Sequence, residues 1–311
     1  MKKLGSQLIC LLAVFIAILA VSESAEGKIA VFVSIIPQKY FVQQIGKNRV
    51  DIQVMVQPGA SPATFEPKPR QMAAIAKTHI YFSIGVPFEN VWLKKIASSN
   101  PDMMVVQTDH GILKTPMADH HHHRGEAAQQ KPDQHQENER GQDENRRDPG
   151  ILDPHIWLSP PLVMIQARTI LSALQKVDPV HRSDYEANYN AFVSEISQLD
   201  AELRNIFSGK HGLQFMVFHP AWGYFADTYG LKQVPVEIEG KNPKPAQLKE
   251  LIEYANQNDI NVIFVQPQFS AKSAEVIARG IGGQVILADP LAEEWAANLR
   301  KVAREIKAAL R

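Results

Sequence analysis

Short runs rich in Val and Ile alternate along this chain with segments whose apolar residues recur every three or four positions. In the first half, Ile29 to Ile35, Val50 to Val56, Ile80 to Gly85 and Met103 to Asp109 read as strands. Their near-continuous apolar character is what a parallel sheet covered on both faces requires. Helical patterns fall between them. Pro37 to Gly46 places Tyr40, Phe41 and Ile45 on one face, and Pro69 to Lys77 forms another. Pro37 suits a first helical position and Gly46 a C-terminal cap. The second half repeats the plan, with strands at Gln214 to Phe218, Gln233 to Ile238, Val262 to Gln266 and Val285 to Ala288. Helices are expected at Pro220 to Tyr229, Pro245 to Asn256, Ser270 to Arg279 and Leu291 to Leu310. Two successive sets of alternating strands and helices predict an α/β protein of two lobes. Each lobe is expected to hold a mostly parallel four-stranded sheet flanked by helices.

Two helical stretches separate the sets. The first opens with Ser159 as cap and Pro160 in the first turn. The second runs from about Pro179 to Phe207, where Tyr185, Tyr189, Phe192, Ile196, Leu199, Leu203 and Ile206 make one apolar face. At 1.5 Å per residue it would reach roughly 42 Å, a strut that favours small hinge motion. Residues 118–150 break the pattern. They are acidic, carry His120, His121, His122 and His123, and have almost no large apolar side chain, so burial cannot offset their ordering entropy. A disordered surface insert is expected. The organisation is therefore a leader over 1–25, a first lobe over 26–178 containing the insert, a linker helix over 179–207 and a second lobe over 208–311.

The leader is inferred from Lys2 and Lys3, an apolar run from Leu8 to Val21 and small residues after it, the order of a cleaved secretory signal. The run is shorter than the roughly 20 residues that span a bilayer. The only cysteine, Cys10, lies inside it, so the mature chain would have no thiol and its metal ligands must be His or carboxylate. Thirty-three basic residues balance thirty-three acidic ones, which leaves no electrostatic footprint for nucleic acid. With no later run of transmembrane length, a monomer in the periplasm is expected.

Three side chains stand at comparable places beside apolar runs: His155 in DPHIWLSP, His219 in VFHPAWGYF and Asp289 in VILADPL. Open α/β sheets gather ligand sites beyond the carboxyl ends of their strands. Each residue has a plainer reading alone. A lone His is more often a satisfied structural residue, and Asp-Pro also reads as a helix cap followed by a first-position proline. The three together predict a metal site of two imidazoles and one carboxylate. Low-complexity His tracts also bind transition ions, so the insert points to the same chemistry. Trp157, Trp222 and Tyr224 are expected to wall the cleft, whereas His79, His110, His181 and His211 read as structural or surface residues.

DPHIWLSP, FHPAWGYFADTYGL, the helix beginning near DYEANYNAF, ADPL, and PGASPATFEPKPRQM resemble the zinc- and manganese-type substrate-binding proteins of ABC importers, the ZnuA/TroA-like family. The resemblance spans essentially the whole mature chain, including the His-rich insert before DPH. It implies two similar lobes joined by a rigid helix, with one metal held in the cleft for delivery to a membrane permease and its ATPase. It also implies that His155, His219 and Asp289 are three of four ligands. The fourth position departs. Where the family usually carries Pro-His-x-Tyr/Phe-Glu-Pro, this chain reads Pro62-Ala63-Thr64-Phe65-Glu66-Pro67. Water, a histidine of the insert (His120 to His123) or Glu66 would have to complete the shell.

Two imidazoles favour zinc over manganese, which prefers oxygen donors. The expected function is capture of zinc for an ABC importer, without catalysis. Two alternatives differ in class: a periplasmic zinc buffer or chaperone working through the insert, and a zinc hydrolase using Glu66 as general base.

Overall fold

A computed structural model describes residues 27–117, 152–237 and 241–310. The expected leader, the insert with its four histidines and the end of the strand at Ile238 lie outside the described residues. The first sheet holds β1 (Ile29–Val33), β2 (Val50–Val54), β3 (Ile80–Ser83) and β4 (Met104–Gln107). The second holds β5 (Gln214–Val217), β6 (Lys232–Pro235), β7 (Val262–Val265) and β8 (Gln284–Leu287). Both are wholly parallel and share one topology, β2-β1-β3-β4 and β6-β5-β7-β8. In each lobe the chain goes outward from its first strand, then crosses back past it. The direction of winding reverses beside β1 and β3, and again beside β5 and β7, which opens a crevice at the strands' carboxyl ends.

In the first lobe, α1 (Ile36–Gly46), α2 (Pro69–Ile75) and α3 (Pro87–Ser99) connect the strands. Between the lobes run α4 (Pro160–Val177) and α5 (Arg182–Ile206); in the second lobe follow α6 (Gly223–Tyr229), α7 (Pro245–Gln257), α8 (Lys272–Gly280) and α9 (Trp295–Ala309). The helix over Pro87–Ser99 was not among those expected, although Pro87 occupies its first turn. The linker helix is also shorter than expected. Residues 179–181 form a 3-10 turn, and the 25 residues of α5 reach about 37 Å. Ser159 precedes α4 but does not cap it: its hydroxyl lies 2.9 Å from Thr228 Oγ1 of α6, tying the two lobes together.

Side-chain alternation explains how the second sheet is covered. Phe215 and Val217 of β5, with Val262 and Phe264 of β7, face the principal core. Met216, Ile263 and Val265 face a second cluster, closed by Leu251 and Ala255 of α7 and Ala274 and Ile277 of α8. The principal core runs through the first sheet, α1, α4 and α5, and it takes in the last helix as well. Leu299, Val302 and Ile306 of α9 are buried in it, each worth about 1.5–3 kcal/mol as apolar burial. Trp295 meets Phe41 of α1 edge-on at 5.1 Å, and Arg300 pairs with Glu202 of α5. The final helix thus leaves its own sheet and braces the first lobe.

A buried polar network closes the carboxyl ends of the first sheet. Gln38 Oε1 accepts from the Ser34 and Ile35 amides at 3.0 and 3.3 Å, and Nε2 donates to Thr108 Oγ1 at 3.0 Å. The Ser34 hydroxyl lies 2.8 Å from Tyr81 Oη, and Glu89 accepts from the Gly85 amide at 2.7 Å. Burial pushes the Glu89 carboxyl up to about 7, against the opposing pull of Ser34 and the Gly85 and Ile84 amides.

Candidate metal centre

His219 stands just past the end of β5, beside β7, at the reversal of the second sheet. The Phe218 amide still bonds to Phe264 O at 2.8 Å, so the strand delivers His219 in a fixed direction. Gln266, at the end of β7, holds the backbone of His219 on both sides. Its Oε1 accepts from the His219 amide at 3.2 Å, and its Nε2 donates to the carbonyl at 2.8 Å. The ring stacks on Phe269 at 4.9 Å with 22° between planes. Its Nδ1 lies 2.6 Å from Glu237 Oε1. Glu237 arrives there because its own amide continues the β5–β6 ladder, bonding to Phe218 O at 3.0 Å.

His155 is built by a different local device. Asp153 Oδ1 accepts from the His155 amide at 2.9 Å and lies 2.6 Å from its Nδ1. Both residues are buried. The segment is pinned at the base of the insert, where Pro116 and Leu152 form an antiparallel bridge and the Asp153 amide bonds to Thr115 O at 2.8 Å. Tyr224, from the second lobe, accepts from the Thr115 amide and donates to Asp153 O, each at 3.0 Å.

The two rings meet. The centres of His155 and His219 are 5.2 Å apart with 71° between planes, and Trp157 packs 5.1 Å from His155. A carboxylate at Nδ1 of each ring keeps the proton on that nitrogen and leaves the Nε2 lone pair for an electrophile. Burial holds the His155 pKa below the ordinary imidazole value, and Asp153 works against it. Two imidazoles, each backed by a buried carboxylate, form an arrangement suited to a divalent transition ion.

Asp289 lies two residues beyond β8. Its Oδ1 accepts from the Leu291 amide at 2.9 Å and from Gln268 Nε2 at 3.0 Å, so both donors hold one oxygen and leave Oδ2 untouched by them. The expected helix from Leu291 begins only at Trp295, so Asp289 caps no helix. Among the described residues, no three His, Cys, Asp or Glu side chains are gathered closely enough to hold an ion. The structure brings the two histidine rings together. Ala63 and Glu66 are exposed on the loop before α2, which is held by the Phe88 amide on Pro62 O at 3.2 Å. His79 Nδ1 accepts from the Ala30 amide, and His181 faces Asp178, both apart from the pair. Trp222 is buried against Phe225.

Asp153, Glu237, Gln266, Gln268 and Phe269 were not singled out from sequence. Only Asp153 carried a local signal, an Asp two positions before a His, the spacing of an Asx turn. Glu237 needed knowledge of strand order.

The chain is 26% identical over 267 residues to the high-affinity zinc uptake system protein ZnuA of Bacillus subtilis, covering 85% of this chain and 78% of that one. It is 26% identical over 298 residues to the zinc-binding protein AdcA of Streptococcus pyogenes, covering 94% of this chain but only 56% of AdcA. Among solved structures, a crystal structure of ZnuA superposes with a TM-score of 0.79 at 39% identity, covering 91% of this chain and 99% of that one. A zinc-bound ZnuA deletion mutant gives a TM-score of 0.78 at 39% identity, over 91% and 98% of the two chains. Residues 31–309 match the family described as ZnuA, the periplasmic component A of zinc-uptake complexes, and the chain belongs to that family.

Proposed function

We propose that the chain captures zinc outside the cytoplasm and passes it to the permease of an ATP-driven importer, with His155, His219 and Asp289 as ligands. The observation that carries this reading is the meeting of the two rings. An imidazole bound to zinc at about 2.0–2.1 Å has its centre about 3.2 Å from the ion, so two such rings at a tetrahedral angle have centres about 5.2 Å apart. The pair observed here has that separation, 5.2 Å. The named zinc-binding relatives favour the same ion.

Charge supports the reading as well. A divalent ion with two neutral imidazoles and one carboxylate keeps a net positive charge, and the buried carboxylates Asp153 and Glu237 stand behind the rings to balance it. Among the described residues no helix is long and apolar enough to cross a membrane.

The test is zinc titration of the metal-stripped protein with residues 119–148 deleted. One tight site, lost in His155→Ala and in His219→Ala, is the expected result. Absence of any tight site in the deleted protein would move the function to the insert and sink the proposal.

A further inference from the structure

The loop between β7 and α8 touches both candidate ligands of the second lobe. Gln266 brackets the His219 backbone, Phe269 stacks on the His219 ring, and Gln268 between them donates to Asp289 Oδ1. The other end of the Gln268 amide has no such role. Its Oε1 is buried and has no hydrogen-bond partner among the described residues.

The orientation of this amide is forced. Turning it over would set Oε1 against a carboxylate oxygen and forfeit the 3.0 Å bond to Asp289. The buried carbonyl oxygen is therefore held in place without a donor, which is unfavourable for a desolvated acceptor. Such an orphan calls for a missing positive partner. Of the side chains with buried, unpartnered atoms among the described residues, only Gln268 is hydrogen bonded to a candidate ligand. On the first lobe, meanwhile, Ala63 offers no donor atom.

We propose that Gln268 Oε1 is an oxygen ligand of the captured ion, so that the second lobe supplies the donor that the first lobe lacks. This inference rests on the zinc-capture reading. It gives a shell of two imidazole nitrogens, one carboxylate oxygen and one amide oxygen, with no further charge added. The bond from Nε2 to Asp289 then sets both oxygen donors from one contact.

Competition titration of the metal-stripped full chain with a chromophoric zinc chelator tests it, using wild type, Gln268→Met, Gln268→Glu and His219→Ala. Met matches Gln in length and preserves packing. Gln268→Met is expected to bind zinc at least 10-fold more weakly, whereas Gln268→Glu, which keeps an oxygen in place, binds as tightly as wild type or more so. Gln268→Glu should also melt at a lower temperature than wild type without zinc, since two carboxylates then face each other, and recover when zinc is added. Unchanged affinity in Gln268→Met would overturn the proposal. So would a loss in Gln268→Glu as large as in Gln268→Met, because the residue would then act only by donating to Asp289. If His219→Ala binds as wild type does, the capture reading itself fails. If His219→Ala loses zinc while both Gln268 variants keep it, only this inference fails.

Discussion

Trp295 Nε1 donates to the carbonyl oxygen of Trp157 at 2.7 Å, and Trp157 Nε1 donates to the carbonyl oxygen of Pro290 at 2.7 Å. These two bonds stitch the segment carrying His155 to the segment carrying Asp289. Both indoles are buried, so neither bond can be exchanged for one to water. Trp295→Phe keeps most of the ring against Phe41 but leaves the Trp157 carbonyl unpaired. A loss of about 1–3 kcal/mol in stability is expected from denaturant unfolding. Zinc affinity should fall too, because the registration of the two segments loosens. A variant as stable as wild type would show that the stitch contributes nothing.

Glu237 and Asp153 set which nitrogen of each histidine is free. Glu237→Gln and Asp153→Asn should each weaken zinc binding by about 10–100-fold, the usual cost of losing a carboxylate behind a metal-bound imidazole. Chelator competition reads this directly. No change in either variant would mean that ring orientation is set elsewhere.

Glu89 makes a pH prediction. Its carboxyl is raised by burial to about 7, so the folded protein holds that proton more tightly than the unfolded chain, where the ordinary value is 4.5. Stability from this group is therefore greatest below about pH 4.5 and falls as pH rises towards 7, by about 3 kcal/mol in all. Glu89→Gln should remove that slope, giving an unfolding free energy less dependent on pH between 5 and 8 than wild type. Parallel pH profiles for the two proteins would contradict it.

Much of the architecture was legible because the strands are nearly continuous apolar runs. Ile80–Ser83 and Val262–Val265 are buried at every position, as central parallel strands must be. Helix ends were less so. Pro220 and Leu291 looked like helix starts, yet α6 begins at Gly223 and α9 at Trp295, since the intervening residues are spent in turns that carry His219 and Asp289. His219 stood out by its place at the end of a strand, and His155 by the short apolar run beside it between the insert and the next helix. Of the carboxylates behind them, Asp153 carried a local signal and Glu237 none, because Glu237 reaches His219 only through the pairing of β5 with β6, which no local pattern encodes. Gln268 was hidden for the same reason: its partner Asp289 sits past the neighbouring strand.

Zinc ligation by imidazole also requires both Nε2 atoms to be unprotonated. Burial holds the His155 pKa below the ordinary imidazole value, so affinity should hold at neutral pH and weaken only once the pH has fallen below that value. A titration series over pH 7.5 to 5.5 checks this, and a flat profile would argue against imidazole ligands.

His155 and His219 are proposed to grip one ion together. Zinc-edge X-ray absorption on the protein with residues 119–148 deleted, loaded with one equivalent of zinc, tests it most directly. Two imidazole nitrogens at about 2.0–2.1 Å are expected, and one fewer in His219→Ala. A spectrum with only oxygen neighbours, or one unchanged by His219→Ala, would contradict it.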